Sequence, residues 1–120
     1  MRQASTDTLP SPVTVKRYPW MRRFDFYSPK AQRRLTLFSH ATLSLWTVLE
    51  SRPSITRFCE YPGYVLVNGE RVIADFWAED KDSAQAQFLV IPDGLRVEPE
   101  SPTKARLYAS RVRKTVGLRG

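Results

Sequence analysis

Asn68-Gly69 stands between two runs rich in β-branched and aromatic residues, Tyr64-Val65-Leu66-Val67 and Glu70-Arg71-Val72-Ile73. Asn and Gly both tolerate φ > 0, which a two-residue type I′ hairpin turn requires at both central positions. A loop that short fixes the register, so Val67 faces Glu70, Val65 faces Val72 and Tyr64 faces Ile73. The second strand then runs on to Asp75, an acid in an otherwise apolar stretch ending Ala74-Asp75-Phe76-Trp77-Ala78. A bare carboxylate is costly to bury, so Asp75 needs a partner, a metal or water. It is the strongest lead to chemistry in the chain.

Around this hairpin the residues sort into short elements. Leu35 to Phe38 reads as a strand, and Ser39 as the N-cap of a helix running to about Glu50. At about 100° per residue, Ala41, Leu45, Trp46, Val48 and Leu49 share one stripe, with Thr42 in its middle. His40, the only histidine, falls nearly opposite and reads as a surface residue. Arg52-Pro53 ends the helix, and Ile55 to Tyr61 is a strand joined to the hairpin by a Pro62-Gly63 kink. Glu79 to Ser83 reads as a charged loop, Gln87 to Ile91 as a strand and Pro92-Asp93-Gly94 as a turn. Thr103 to Lys114 reads as a thinly apolar, basic helix. The expected fold is α/β (α+β): a small, mainly antiparallel sheet with flanking helices.

Charge divides the chain into three stretches. Residues 1–34 hold eight Lys/Arg and two acids; residues 35–100 hold five Lys/Arg and ten acids; residues 101–120 hold six Lys/Arg and no acid. These are expected to be a basic, Pro-containing arm, an α/β core and a basic C-terminal helix or tail. Such a layout suits a polyanion, DNA above all. The expected nucleic-acid contacts are Lys16, Arg17, Arg22, Arg23, Arg33 and Arg34 from the arm. Lys104, Arg106, Arg111, Arg113 and Lys114 add to them from the other end. Tyr18 and Trp20 form an aromatic patch in the arm. The segment Met21 to Tyr27 interleaves bases with aromatics; it can lie along phosphates and stack on bases, or pack its rings on its own domain.

Several classes are set aside. Cys59 is the only cysteine, which rules out an internal disulfide or a thiolate cluster within this chain. Nothing brings Cys59 and His40 together as a nucleophile and base. The start, Met1-Arg2-Gln3-Ala4-Ser5, lacks the apolar run of a signal peptide, and no stretch approaches the ~18 apolar residues of a membrane span. A reduced, cytoplasmic setting without membrane partners is expected.

Residues 39 to 91 resemble the N-terminal nuclease domain of the TnsA family, the endonuclease subunit of heteromeric transposases. The Ser-led helix ends in Val48-Leu49-Glu50. Ile55-Thr56-Arg57-Phe58-Cys59-Glu60-Tyr61-Pro62 is similar to that family's V-x-x-F-x-E-Q-P strand. The hairpin ends in Ile73-Ala74-Asp75-Phe76, similar to its x-P-D-F, and Phe88-Leu89-Val90-Ile91 follows. The resemblance implies a trimmed restriction-endonuclease-like core and a PD-(D/E)-x-K site. There carboxylates hold Mg²⁺ against the scissile phosphate and a lysine positions water. Asp75 matches the family's Asp. The helical Glu falls at Thr42, the Glu/Gln near Val90 and the Lys near Pro92, so one position of four is kept. Gln85 and Gln87 lie nearby without a lysine at the needed spacing.

The resemblance therefore implies a TnsA-like DNA-transposition protein with a degenerate nuclease site and Asp75 as remnant. Its expected partners are DNA and a transposase subunit that completes the short core, in a bacterial cytoplasm at the nucleoid. Two rivals stand beside it. One is an active Mg²⁺-dependent endonuclease of a mobile element, in which Glu60 or an acid from Glu79-Asp80-Asp82 joins Asp75 as metal ligand. The other is an unrelated nucleic-acid-binding module in which Asp75 pairs with an arginine.

Overall fold

The computed structural model describes residues 9–83, 86–108 and 112–114. The chain is α+β. Its order is β1 (Phe24–Ser28), β2 (Arg33–Leu37), α1 (His40–Ser51), β3 (Ile55–Glu60), β4 (Tyr64–Val67), β5 (Glu70–Ile73), β6 (Phe76–Asp80), β7 (Gln87–Val90), a 3₁₀ turn at Pro102–Lys104 and β8 (Val112–Lys114).

β4 and β5 pair in the register that Asn68-Gly69 dictates: Val67 with Glu70, Val65 with Val72, Tyr64 with Ile73. Both turn residues have positive φ, +53° and +83°. The two arms continue past a shared kink. Ala74 N–H donates to the Gly63 carbonyl and Tyr61 N–H to the Asp75 carbonyl. Beyond the kink β3 pairs with β6, Glu60 opposite Phe76. The unit is one long bent hairpin, in which Tyr61 takes φ +45° to absorb the change of register. Asp75 thus sits at the junction between two strands rather than inside one, a correction to its expected place. Glu79 and Asp80 also differ from expectation, closing β6 instead of opening a loop.

β6 is one of the two inner strands of the order β3-β6-β7-β8. Phe76, Trp77 and Ala78 are all buried, as a strand covered on both faces demands. On one face Phe58, Phe76, Ala78 and Leu89 meet Leu45 and Leu49 of α1 and Leu35 and Leu37 of β2. On the other, Cys59, Trp77, Phe88 and Val90 meet Val65 and Ala74 of the hairpin, with Tyr108 packed against them.

α1 starts where its cap predicts: the Ser39 hydroxyl accepts from Thr42 N–H. Thr42, Leu45 and Leu49 are its buried residues; Ala41, expected on the same stripe, is exposed, as is His40. The helix end is tied to the β1–β2 turn. Glu50 accepts from the Ser28 hydroxyl at 2.6 Å and from Lys30 N–H at 2.8 Å. Lys30 Nζ donates to the carbonyls of Leu49 and Arg52 at 2.7 and 2.8 Å, a cation on the negative end of the helix.

Two expectations need correcting. Residues 9–34, expected as part of a basic, Pro-containing arm, belong to the fold. Val15 is buried and bridges Pro99, Val13 N–H donates to the Tyr61 carbonyl, and residues 24–28 form β1. The helix expected over Thr103–Lys114 is absent among the described residues. After the 3₁₀ turn, Leu107 bridges Tyr64 and β8 runs parallel to β7; residues 109–111 lie outside the described residues. Among the described residues α1 is therefore the only α-helix, and the second face of the sheet is covered by strands. Gly63 makes the close approach of the 106–108 segment possible. A Cβ there would lie 2.6 Å from the Arg106 carbonyl oxygen and 2.9 Å from the Tyr108 ring. Among the described residues no helix is long and apolar enough to cross a membrane.

Candidate functional site

Asp75 is 2% exposed. Its Oδ2 accepts from Ile91 N–H at 2.8 Å and from the Arg96 guanidinium at 3.2 Å. The same guanidinium donates to the Ile91 carbonyl, so it also clamps the 92–94 turn. Burial pushes the Asp75 carboxyl above its ordinary value, and the Ile91 amide and Arg96 pull it back. The net upward direction says that desolvation outweighs its partners.

Glu60 lies on the other arm of the bend and is equally withdrawn. Arg33 of β2 grips it with both guanidinium nitrogens, at 2.8 and 2.7 Å. This bidentate geometry is the strongest form of the pair, and it holds Arg33 even further toward its charged form. Glu60, expected as a possible metal ligand, thus has both oxygens committed. Arg33, expected to reach DNA, is spent on Glu60.

Tyr61 follows Glu60 in the chain, and its backbone N–H donates to the Asp75 carbonyl. Its phenol accepts from Phe38 N–H at 3.0 Å. Burial raises it to about 12; the Phe38 amide and the Thr42 side chain lower it, and the charges of Asp75 and Glu60 raise it. Thr42 in turn shares a 2.6 Å hydrogen bond with Ser39. The expected position of Thr42 on the buried stripe of α1 is found, and its side chain acts on the Tyr61 phenol. Val90 is buried and Pro92 is exposed in the turn; Gln87 is half-buried in β7, and Gln85 lies outside the described residues.

These residues do not fit a Mg²⁺ site. Two carboxylates answered by arginines offer no free pair of oxygens, and Thr42, Val90 and Pro92 add neither a ligand nor an amine. Glu79 is taken by Arg57 in a second bidentate pair and by Thr56. Among the described residues no three His, Cys, Asp or Glu side chains converge as a metal would need. Cys59 is fully buried, and burial raises its thiol to about 12, which disfavours the thiolate.

Seven of the other expected site residues lie at the surface. Lys16, Arg17, Arg22, Arg23, Arg34, Lys104 and Arg106 are exposed. Arg23 pairs with Asp25, Arg22 donates to His40, and Arg106 lies over the Tyr108 ring. Arg111 lies outside the described residues, and Arg113 and Lys114 are in β8. Sequence reasoning missed Arg96 and the role of Arg33, because no local spacing links 96 to 75 or 33 to 60. The rings of Met21 to Tyr27 divide: Phe24 and Phe26 pack on the core, while Tyr27 is exposed. Comparisons with protein-family models, with curated proteins and with solved structures find no match.

Proposed function

We propose that this protein binds DNA without cutting it, as a TnsA-like component of a transposition system that acts beside a transposase subunit. The observation that carries the DNA reading is the pairing of residues 14–16 with 98–100. Lys16 N–H donates to the Glu98 carbonyl, and Glu100 N–H to that of Thr14. This ties the basic N-terminal stretch to the end of the acidic body, next in sequence to the basic C-terminal stretch; Lys16, Arg17 and Lys104 are exposed, as are Glu98 and Glu100. Exposed cations held on a rigid backbone meet phosphates at little entropic cost. Ground for a protein partner lies elsewhere. Leu66 and Leu107 are both exposed, and the Tyr64–Leu107 bridge sets them on one face of the β4 ladder.

What supports the absence of cleavage is that Asp75 and Glu60 are each paired with an arginine. The Asp75–Arg96 pair also fits a DNA-binding module with no tie to transposition, and the genes beside this one would separate the two.

The test is duplex binding across a salt series together with incubation of supercoiled plasmid in Mg²⁺ and Mn²⁺. Binding is expected to weaken by about 0.9 in log K per log salt for each phosphate contacted, with the plasmid left intact. Salt-independent binding would remove the basic-surface reading. Nicking by the wild type that a folded Asp75→Ala variant lacks would restore the endonuclease.

A further inference from the structure

Trp20 is 66% exposed, while Trp77 is 2% exposed and Trp46 packs on Phe26. Full burial of such a ring is worth roughly 2–3 kcal/mol, so one left in solvent is informative when the chain holds it firmly. It does. Tyr18-Pro19-Trp20-Met21 is a β-turn closed by Met21 N–H on the Tyr18 carbonyl at 3.0 Å, with Pro19 at its second position. Trp20 lies stacked on Tyr18, ring centroids 5.5 Å apart and planes 11° from parallel. Tyr18 is anchored in turn, its hydroxyl donating to Glu98 at 2.8 Å. Lys16 Nζ lies 5.5 Å from the Tyr18 centroid, and Arg17 is exposed.

We propose that the Tyr18–Trp20 stack is a platform for an unpaired nucleobase, so that the protein takes single-stranded DNA as well as duplex. The proposal rests on the DNA reading above and adds a ligand form to it. An aromatic ring already stacked and fixed by a turn accepts a base with little ordering cost, and any base serves because each has a π-face. Lys16 and Arg17 supply the positive charge for the phosphates that flank a stacked base. The same charge argues for a nucleotide strand over a neutral sugar or an apolar peptide. Glu98 accepts from the Tyr18 hydroxyl through one oxygen, and Glu98 and Glu100 are exposed on the segment paired with residues 14–16. In duplex DNA the bases are already stacked, so the platform acts where a strand is open or ends.

The full chain, its Trp20→Ala and Trp20→Phe variants and an Arg17→Ala variant are titrated against labelled oligothymidylate and against a blunt duplex. Trp20→Ala is expected to weaken oligothymidylate binding by ~5–150-fold, the cost of one base stack. It should leave the duplex within about twofold, and Trp20→Phe should restore most of the loss. Arg17→Ala should weaken both forms, as a phosphate contact does. Wild-type tryptophan fluorescence should fall as oligothymidylate binds, and the fall should vanish in Trp20→Ala. If Trp20→Ala changes neither form, or both alike, the platform is wrong while the DNA reading stands. If the wild type binds neither form, the DNA reading itself fails and the platform with it.

Discussion

At the bend of the long hairpin every charged group is answered from inside the molecule: Glu60 by Arg33, Asp75 by Arg96 and the Ile91 amide. Along residues 16–20 the groups of highest chemical potential face outward: Lys16 and Arg17 in solvent, and a tryptophan stacked in the open. Both regions are rich in charge and aromatics, and both are fixed in place by backbone hydrogen bonds. They differ in where desolvation has already occurred. In the bend it is part of folding, so the charges there serve the fold. In the other region, the strap of residues 16–20, it has yet to happen, so a ligand can still draw on it. On the proposed reading, binding falls to residues 16–20 and not to the residues around Asp75.

The contrast is broken most severely by removing one partner of a buried pair. Arg33→Ala strands the Glu60 carboxylate, whose side chain is 6% exposed. Such a loss costs about 3 kcal/mol or more, read as a drop in the urea midpoint without a change in slope. Replacing Arg33 and Glu60 together by Met should cost much less, since no buried charge is left unpaired. A loss below about 1 kcal/mol for Arg33→Ala would mean that Glu60 rehydrates and that the bend is not committed to its ion pairs.

A smaller effect distinguishes Asp75. Its carboxyl is raised by burial, so the folded state holds the proton to a higher pH than the unfolded state does. Below the ordinary carboxylate range this contribution is fully present. It is lost as pH rises through the folded value, with a slope of at most about 1.4 kcal/mol per pH unit. Carboxylates lowered by their partners, such as Glu79 beside Arg57, act in the opposite sense. The stability difference between wild type and Asp75→Asn cancels these and should fall with rising pH in that window. A difference that rises instead would show that Arg96 outweighs burial.

Legibility in the sequence follows how local each determinant is. Asn68-Gly69 forces its own register, Ser39 caps its own helix, and the α+β class follows from those elements. β1 was hidden because Arg22, Arg23 and the prolines before them suggested an arm. The usable signal was period-2 alternation, with Phe24, Phe26 and Ser28 inward and Asp25 and Tyr27 outward. The segment after Pro102 misled for another reason. Its scattered bases fit a helical wheel, whereas its structure is set by pairing with β4 and β7 far away in the chain. The candidate site shows the same limit. The sequence showed that Asp75 needs a partner, a metal or water; that Arg96 answers it is decided by the turn after β7.

The smallest expected effect on stability tests the strap side of the comparison. Arg17 is exposed and follows the residue that pairs with Glu98 in the backbone. Arg17→Ala removes a solvated cation and no buried group, so stability should stay within about 0.5 kcal/mol. Binding should respond differently. If Arg17 contacts one phosphate, the slope of log K against log salt should shallow by about 0.9, with the loss of affinity largest at low salt, where fewer ions compete for the phosphates. The pairing of residues 14–16 with 98–100 is untouched by the substitution, so a change in slope reports the missing charge and not a displaced strap. If Arg17→Ala instead destabilises the fold as Arg33→Ala does, the cation is part of the internal accounting and the division between the two regions fails. If stability and slope both stay put, the exposed cations of the strap are solvation alone, and the DNA surface must be sought around Arg34, Lys104 and Arg106.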